Sequence, residues 1–144
     1  MILALKIKLL SGACATSKWE GVIEMDSSSS LEDLHLAIQS TLNFDNDHLY
    51  EFFTAKSETS RQRVTFDDEN GGLYERTVES LYPLPKGHHL YYLFDYGDDW
   101  LFSISRAKAV VATAVAEEPE IDPIFPRLIF ENGERPEQYP SMED

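Results

Sequence analysis

The chain has one cysteine, Cys14, in 144 residues. An internal disulfide is therefore excluded, and so is any CxxC metal or redox motif. Basic residues are also scarce: 12 Lys and Arg face 26 Asp and Glu, a formal net charge of −14. A chain this acidic repels phosphate backbones, so no direct nucleic-acid binding is expected. Anionic membrane surfaces are disfavoured for the same reason. No apolar run approaches the roughly 20 residues that a membrane-spanning helix needs. The start, MILALKIKLL, carries Lys6 and Lys8 inside its apolar run. A signal peptide places its charge first, so a cytoplasmic protein is expected. Signatures of the common enzymes are missing as well. There is no GxxxxGK[ST], GxGxxG, GxSxG or HExxH. No cofactor, no metal and no catalytic residue is predicted on these grounds, and the partners that fit are cations, a basic protein surface or nothing charged at all.

What is present is a foldable core. Apolar residues make up 42% and aromatics 12% of the chain, which is a globular rather than a disordered composition. The acids crowd toward the C-terminus: residues 1–66 hold 6 Lys/Arg and 9 Asp/Glu, residues 67–144 hold 6 and 17. From Glu117 onward there are five prolines and nine acids. This divides the chain into one α+β domain over 1–116 and an acidic, Pro-rich segment over 117–144, partly irregular.

Periodicity predicts the elements. LALKIKLL alternates Leu3, Leu5, Ile7 and Leu9 against lysines, a half-buried strand. SGACATS reads as a turn, and KWEGVIEM as a second strand antiparallel to the first. Leu31, Leu34, Ile38 and Leu42 form a helical stripe over about 30–42, with Ser29 and Glu32 at capping-box spacing. His35 falls at the edge of that stripe. HLYEFFTA reads as a strand, DDENGG as a polar loop, and RTVESLYPLP as a short helix or turn. HHLYYLFDY and WLFSIS form a hairpin, whereas AKAVVATAV suits helix or strand equally. The order gives an α+β fold, a small roll with a mainly antiparallel sheet.

The chemistry is densest in FDYGDDW, residues 94–100. Gly97-Asp98 suits a two-residue type II′ turn. That turn would pair Asp95 with Trp100, Leu93 with Phe102 and Tyr91 with Ile104. Asp95 then becomes an inward carboxylate that needs donors, from the Trp100 indole, His48 or backbone amides. Asp98 and Asp99 fall on the exposed turn. DDENGG fails as a calcium loop, because its twelfth position is Val78. Cys14 would be a nucleophile only beside a base. The candidate binding residues are thus His48, Asp95, Asp98, Asp99 and Trp100.

Two of these stretches carry a resemblance. The segment with Phe44, His48, Leu49 and Phe52, and the hairpin with Tyr92, Phe94, Asp95, Tyr96, Gly97, Asp98 and Trp100, resemble the plasmid pRiA4b Orf-3-like family. Trp19 stands where that family has an early Trp-Arg, but Glu20 replaces the arginine. The family's later Cys-Pro-rich stretch has only a cysteine-free counterpart, PRLIFENGERPEQYP. The resemblance spans residue 3 to about 106. It implies a small α+β roll, a passenger of mobile elements such as plasmids, and no established activity from which catalytic residues could be carried over. Two functions are weighed. The first is a non-enzymatic acidic interaction module. The second is a metal-dependent hydrolase or nuclease-like enzyme using His48 and Asp95.

Overall fold

The structure is a computed structural model, described over residues 2–12, 18–107 and 125–138. Residues 13–17 of the SGACATS turn, Cys14 among them, AKAVVATAV from residue 108 onward, and residues 117–124 and 139–144 of the C-terminal segment lie outside the described residues. Among the described residues, seven strands form one antiparallel sheet in the order β4-β3-β5-β6-β1-β2-β7. In chain order they are β1 (Ile2–Ser11), β2 (Trp19–Asp26), β3 (Tyr50–Ala55), β4 (Arg63–Phe66), β5 (His89–Phe94), β6 (Trp100–Ala107) and β7 (Arg127–Gly133). The helix α1 (Leu31–Leu42) follows β2, and a 3-10 turn spans Glu79–Leu81. This is the α+β class that the periodicity predicts. No helix among the described residues is long and apolar enough to cross a membrane.

The alternation in β1 works as read. Leu3, Leu5, Ile7 and Leu9 are buried, while Lys8 is exposed and Lys6 half-buried. Leu31, Leu34, Ile38 and Leu42 of α1 join them in a single core. That core also takes Trp19, Phe52, Tyr92, Phe94, Trp100 and Phe102 from the sheet face beneath. The helix cap lies one residue later than the spacing predicts. Ser30, not Ser29, caps the helix: its hydroxyl accepts from Asp33 N–H, and the Asp33 carboxylate accepts from Ser30 N–H. Aspartate serves at the third helical position as glutamate does in the usual box, because its shorter side chain still reaches back. The next amides also find partners, Leu31 N–H on Arg76 O and Glu32 N–H on Leu73 O. The 67–78 segment is thereby fastened to the start of α1.

The central hairpin differs from its expected register. Phe94 pairs with Trp100, Tyr92 with Phe102 and Leu90 with Ile104. The connection is the five-residue loop Asp95–Asp99, not a two-residue turn at Gly97-Asp98. Positive φ falls on Asp95 (63°) and Asp99 (53°), not on Gly97. The reason is burial. This register gathers six large apolar side chains on the core face, all buried. The expected register would have split them between faces and put Asp95 inside. The structure adds two strands that the periodicity did not reveal, β4 and β7. The second lies within 117–144, pairs with β2 and sends Leu128 against the core.

Candidate functional site at the loop end of the sheet

Because the strands are antiparallel, three connections leave one end of the sheet side by side. They are 43–49 before β3, 67–72 after β4, and 95–99 between β5 and β6. Together they hold eight acids and no Lys or Arg. Loop 43–49 supplies Asp45 and Asp47; loop 67–72 supplies Asp67, Asp68 and Glu69; loop 95–99 supplies Asp95, Asp98 and Asp99. The opposite end is the cationic one. Lys56, Arg61, Arg63, Lys86, Arg106 and Arg127 lie there, with Asp26, Glu58 and Glu79 among them.

The two resemblance-carrying segments meet at the acidic end. Asp95 N–H donates to Leu49 O at 2.9 Å, and Tyr50 pairs with Phe94. Phe44 packs against Phe94 and Trp100, with ring centroids 6.0 and 5.2 Å away. Asp95 is buried, 7% exposed, but as a loop residue rather than on the sheet face. Its carboxylate accepts from Gly97 N–H (3.1 Å) and Asp98 N–H (3.3 Å), and faces His48 Nε2 at 3.4 Å. Of the three expected donors, the backbone amides are used, and His48 stands within ion-pair distance. The Trp100 indole N–H is the third. Trp100 is fully buried in the core, and its N–H has no hydrogen-bond partner among the described residues. His48 sits just before β3, not in it, with Asp47 3.6 Å away on the same ring nitrogen. Asp98 is half-buried and Asp99 exposed. Among the described residues, no three His, Cys, Asp or Glu side chains converge as a metal site.

Apolar side chains stand among the acids. Leu49 is 60% exposed, Tyr96 45% and Tyr74 68%. Tyr96 O–H donates to Tyr50 O at 3.3 Å. Its phenol is pushed up from 10.0 to about 12, first by burial and then by the negative field of Glu51, Asp67, Asp68 and Glu69. The Glu32 carboxyl is raised by burial first and then by Asp33 and Asp68, and the Glu51 carboxyl is raised by burial, against the opposing charge of Arg63, with a smaller push from Asp67. Tyr50 O–H donates to Glu32.

Behind this face lies a polar ring that the sequence did not announce. His35 is buried rather than at a stripe edge. Its Nδ1 meets Tyr92 Oη at 2.6 Å, and its Nε2 meets Asn46 Oδ1 at 2.6 Å. The Tyr50 ring stacks on it at 3.6 Å. Gln39 completes the circuit. Asn46 N–H donates to Gln39 Oε1 (3.0 Å), and Gln39 Nε2 donates to Tyr92 Oη (2.9 Å). A backbone N–H can only donate, so every direction follows: Tyr92 O–H donates to His35 Nδ1, and His35 Nε2–H donates to Asn46 Oδ1. His35 is the neutral Nε2–H tautomer. Burial pushes its pKa down from 6.5 to about 4, against the opposing effect of Asn46. The only sequence signal for this ring is the i, i+4 spacing of His35 and Gln39 on α1, which places both on one helix face. From the other side Gln138 secures the same loop, accepting from Asp45 N–H at 2.6 Å and donating to Asp47 Oδ1 at 2.8 Å.

The sequence pattern of the Plasmid pRiA4b ORF-3-like protein family matches residues 2–133. The chain belongs to that family. Among solved structures it is similar to a protein of unknown function, MM3350, from Methanosarcina mazei Go1. The TM-score is 0.58 at 21% identity, over 74% of this chain and 59% of that one. The likeness is one of fold, and the chain spans little more than half that protein's length. No curated protein matches. In this pRiA4b ORF-3-like chain the family match runs through β7, so the C-terminal strand belongs to the matched region.

Proposed function

We propose that this pRiA4b ORF-3-like chain is a non-enzymatic binding module whose recognition face is the loop end of the sheet, and whose partner is a basic protein surface with apolar contacts. One observation carries the reading: three neighbouring loops bring eight acids and no Lys or Arg of their own to one end, with Leu49 and Tyr96 exposed among them and Arg135 beside Asp45 at the rim. An excess of acids steers and orients a cationic partner. Exposed aromatic and aliphatic side chains supply the desolvated anchors that charge alone does not. The enzyme alternative draws on the His48–Asp95 pair alone.

The test is fluorescence anisotropy with a labelled amphipathic Lys/Leu peptide, compared with an uncharged peptide of equal length. Asp68→Asn with Glu69→Gln should weaken binding about fivefold at low salt, with the difference shrinking at high salt. Glu58→Gln with Glu79→Gln, the same charge change at the opposite end, should leave it within about twofold, since those charges lie more than a Debye length from the face. Equal weakening by both pairs would reduce the attraction to net charge and refute a recognition face.

A further inference from the structure

The ring of His35, Tyr92, Gln39 and Asn46 joins three elements: α1, the hairpin strand β5 and the loop before β3. Each of its four bonds has one donor and one acceptor, and the circuit closes on the residue where it began. We infer that this ring is a proton-operated latch: protonation of His35 releases the loop Asp45–Leu49 while the sheet and α1 stay folded.

The argument is a count of hydrogen atoms. A second proton on His35 turns Nδ1 into a donor. Tyr92 O–H then loses its acceptor. If the Gln39 amide turns to accept from Tyr92, its NH2 group faces Asn46 N–H, donor against donor. Every rearrangement leaves one donor unmatched, and an unmatched buried donor is costly. Tyr92, Gln39 and His35 are all buried while the loop is closed. Asn46 is exposed and sits in a loop, so its bonds are the ones that solvent can replace. Among the described residues, no carboxylate is bonded to either ring nitrogen of His35. Both ring nitrogens of His35 meet neutral groups. Tyr50 of β3 stacks on its face, Phe94 of β5 lies 6.1 Å away, and the carboxylate of Glu32 on α1 is taken by the Tyr50 hydroxyl.

The depressed pKa of His35 sets the scale. With 6.5 in the opened loop and about 4 in the closed one, opening should rise about twentyfold between pH 7 and pH 5. His48, the other imidazole of this segment, lies 3.6 Å from Asp47 and 3.4 Å from Asp95, so it is the control for the loop's own histidine. Release would take Asp45, Asp47 and Leu49 out of the recognition face. That consequence rests on the binding role proposed above, whereas the latch itself is measured without any ligand.

The experiment is amide hydrogen exchange on the full chain at pH 7 and pH 5, corrected for intrinsic rates. Opening of residues 45–49 should increase about twentyfold, with β5 and β6 unchanged. His48→Gln should retain the increase. His35→Gln, which cannot be protonated, should abolish it. Should that variant not fold, the His35 ring protons of the native chain supply the second reading by NMR. Their titration must track loop opening. A loop indifferent to pH, an increase that survives in folded His35→Gln, strands opening in step with the loop, or a His35 that titrates near 6.5 would each overturn the latch.

Discussion

Asp95 offers the sharpest test of how the loop end is built. Its φ of 63° lies in the left-handed region, where a Cβ crowds the following carbonyl. Aspartate tolerates this better than alanine, because its carboxylate bonds the turn locally. Here it takes Gly97 N–H and Asp98 N–H and faces His48. Asp95→Ala loses that local support, about 1 kcal/mol for the backbone conformation. It also loses about 1 kcal/mol for the two amide bonds, which partly exposed donors regain from water. The half-exposed His48 contact adds a few tenths more. The sum is about 2 to 2.5 kcal/mol. Asp95→Gly should cost about 1 kcal/mol less than Ala, since glycine accepts the same φ freely. Asp95→Asn should cost about 0.5 kcal/mol, because its side-chain oxygen still accepts from both amides. Urea melts of the three variants at neutral pH order them Asn, Gly, Ala. If Ala and Gly prove equally costly, the backbone argument fails. If Asn is as damaging as Ala, the charge facing His48 carries the residue, and the turn does not.

Asp99 also has positive φ, so Asp99→Gly should be neutral or stabilising by a few tenths of a kcal/mol and Asp99→Ala should cost about 1 kcal/mol, while Asp98→Ala stays within about 0.5 kcal/mol, all read in the same melts. Tyr92→Phe removes the hydroxyl that joins Gln39 to His35 and strands buried polar atoms on both, so chemical denaturation should show a loss of about 2 kcal/mol. Gly133 has φ 90°, and a Cβ there would stand 2.1 Å from Lys18 O, so Gly133→Ala should detach the end of β7 and expose its amides to exchange. The Tyr96 phenol should ionise well above 10.0 in an absorbance titration, and Asp68→Asn with Glu69→Gln should bring it down. Its contribution to stability is complete below the unfolded value of 10.0 and is lost as pH rises toward about 12.

Local pattern was enough for much of this protein. The two-residue alternation of β1 and the leucine stripe of α1 are written in spacing, because a side chain's face follows from the backbone period alone. The antiparallel α+β class follows from the order of those elements, and the acidity of the loops is plain in composition. The hairpin register was not local. Gly97-Asp98 satisfies the rules of a tight turn, yet pairing was decided by where Phe94 and Trp100 could be buried together, a competition the turn cannot see. The strands β4 and β7 escaped because edge strands are short or bulged and need no apolar alternation on both faces. His35 and His48 look alike as letters. What separates them is that Tyr92, 57 positions away, sends its hydroxyl to one, and Asp95, a loop residue of the hairpin, turns its carboxylate to the other. Those partners are assembled only when β3 and β5 pair beneath α1, so the ring, the latch and the acidic face exist as consequences of the sheet rather than of any segment in it.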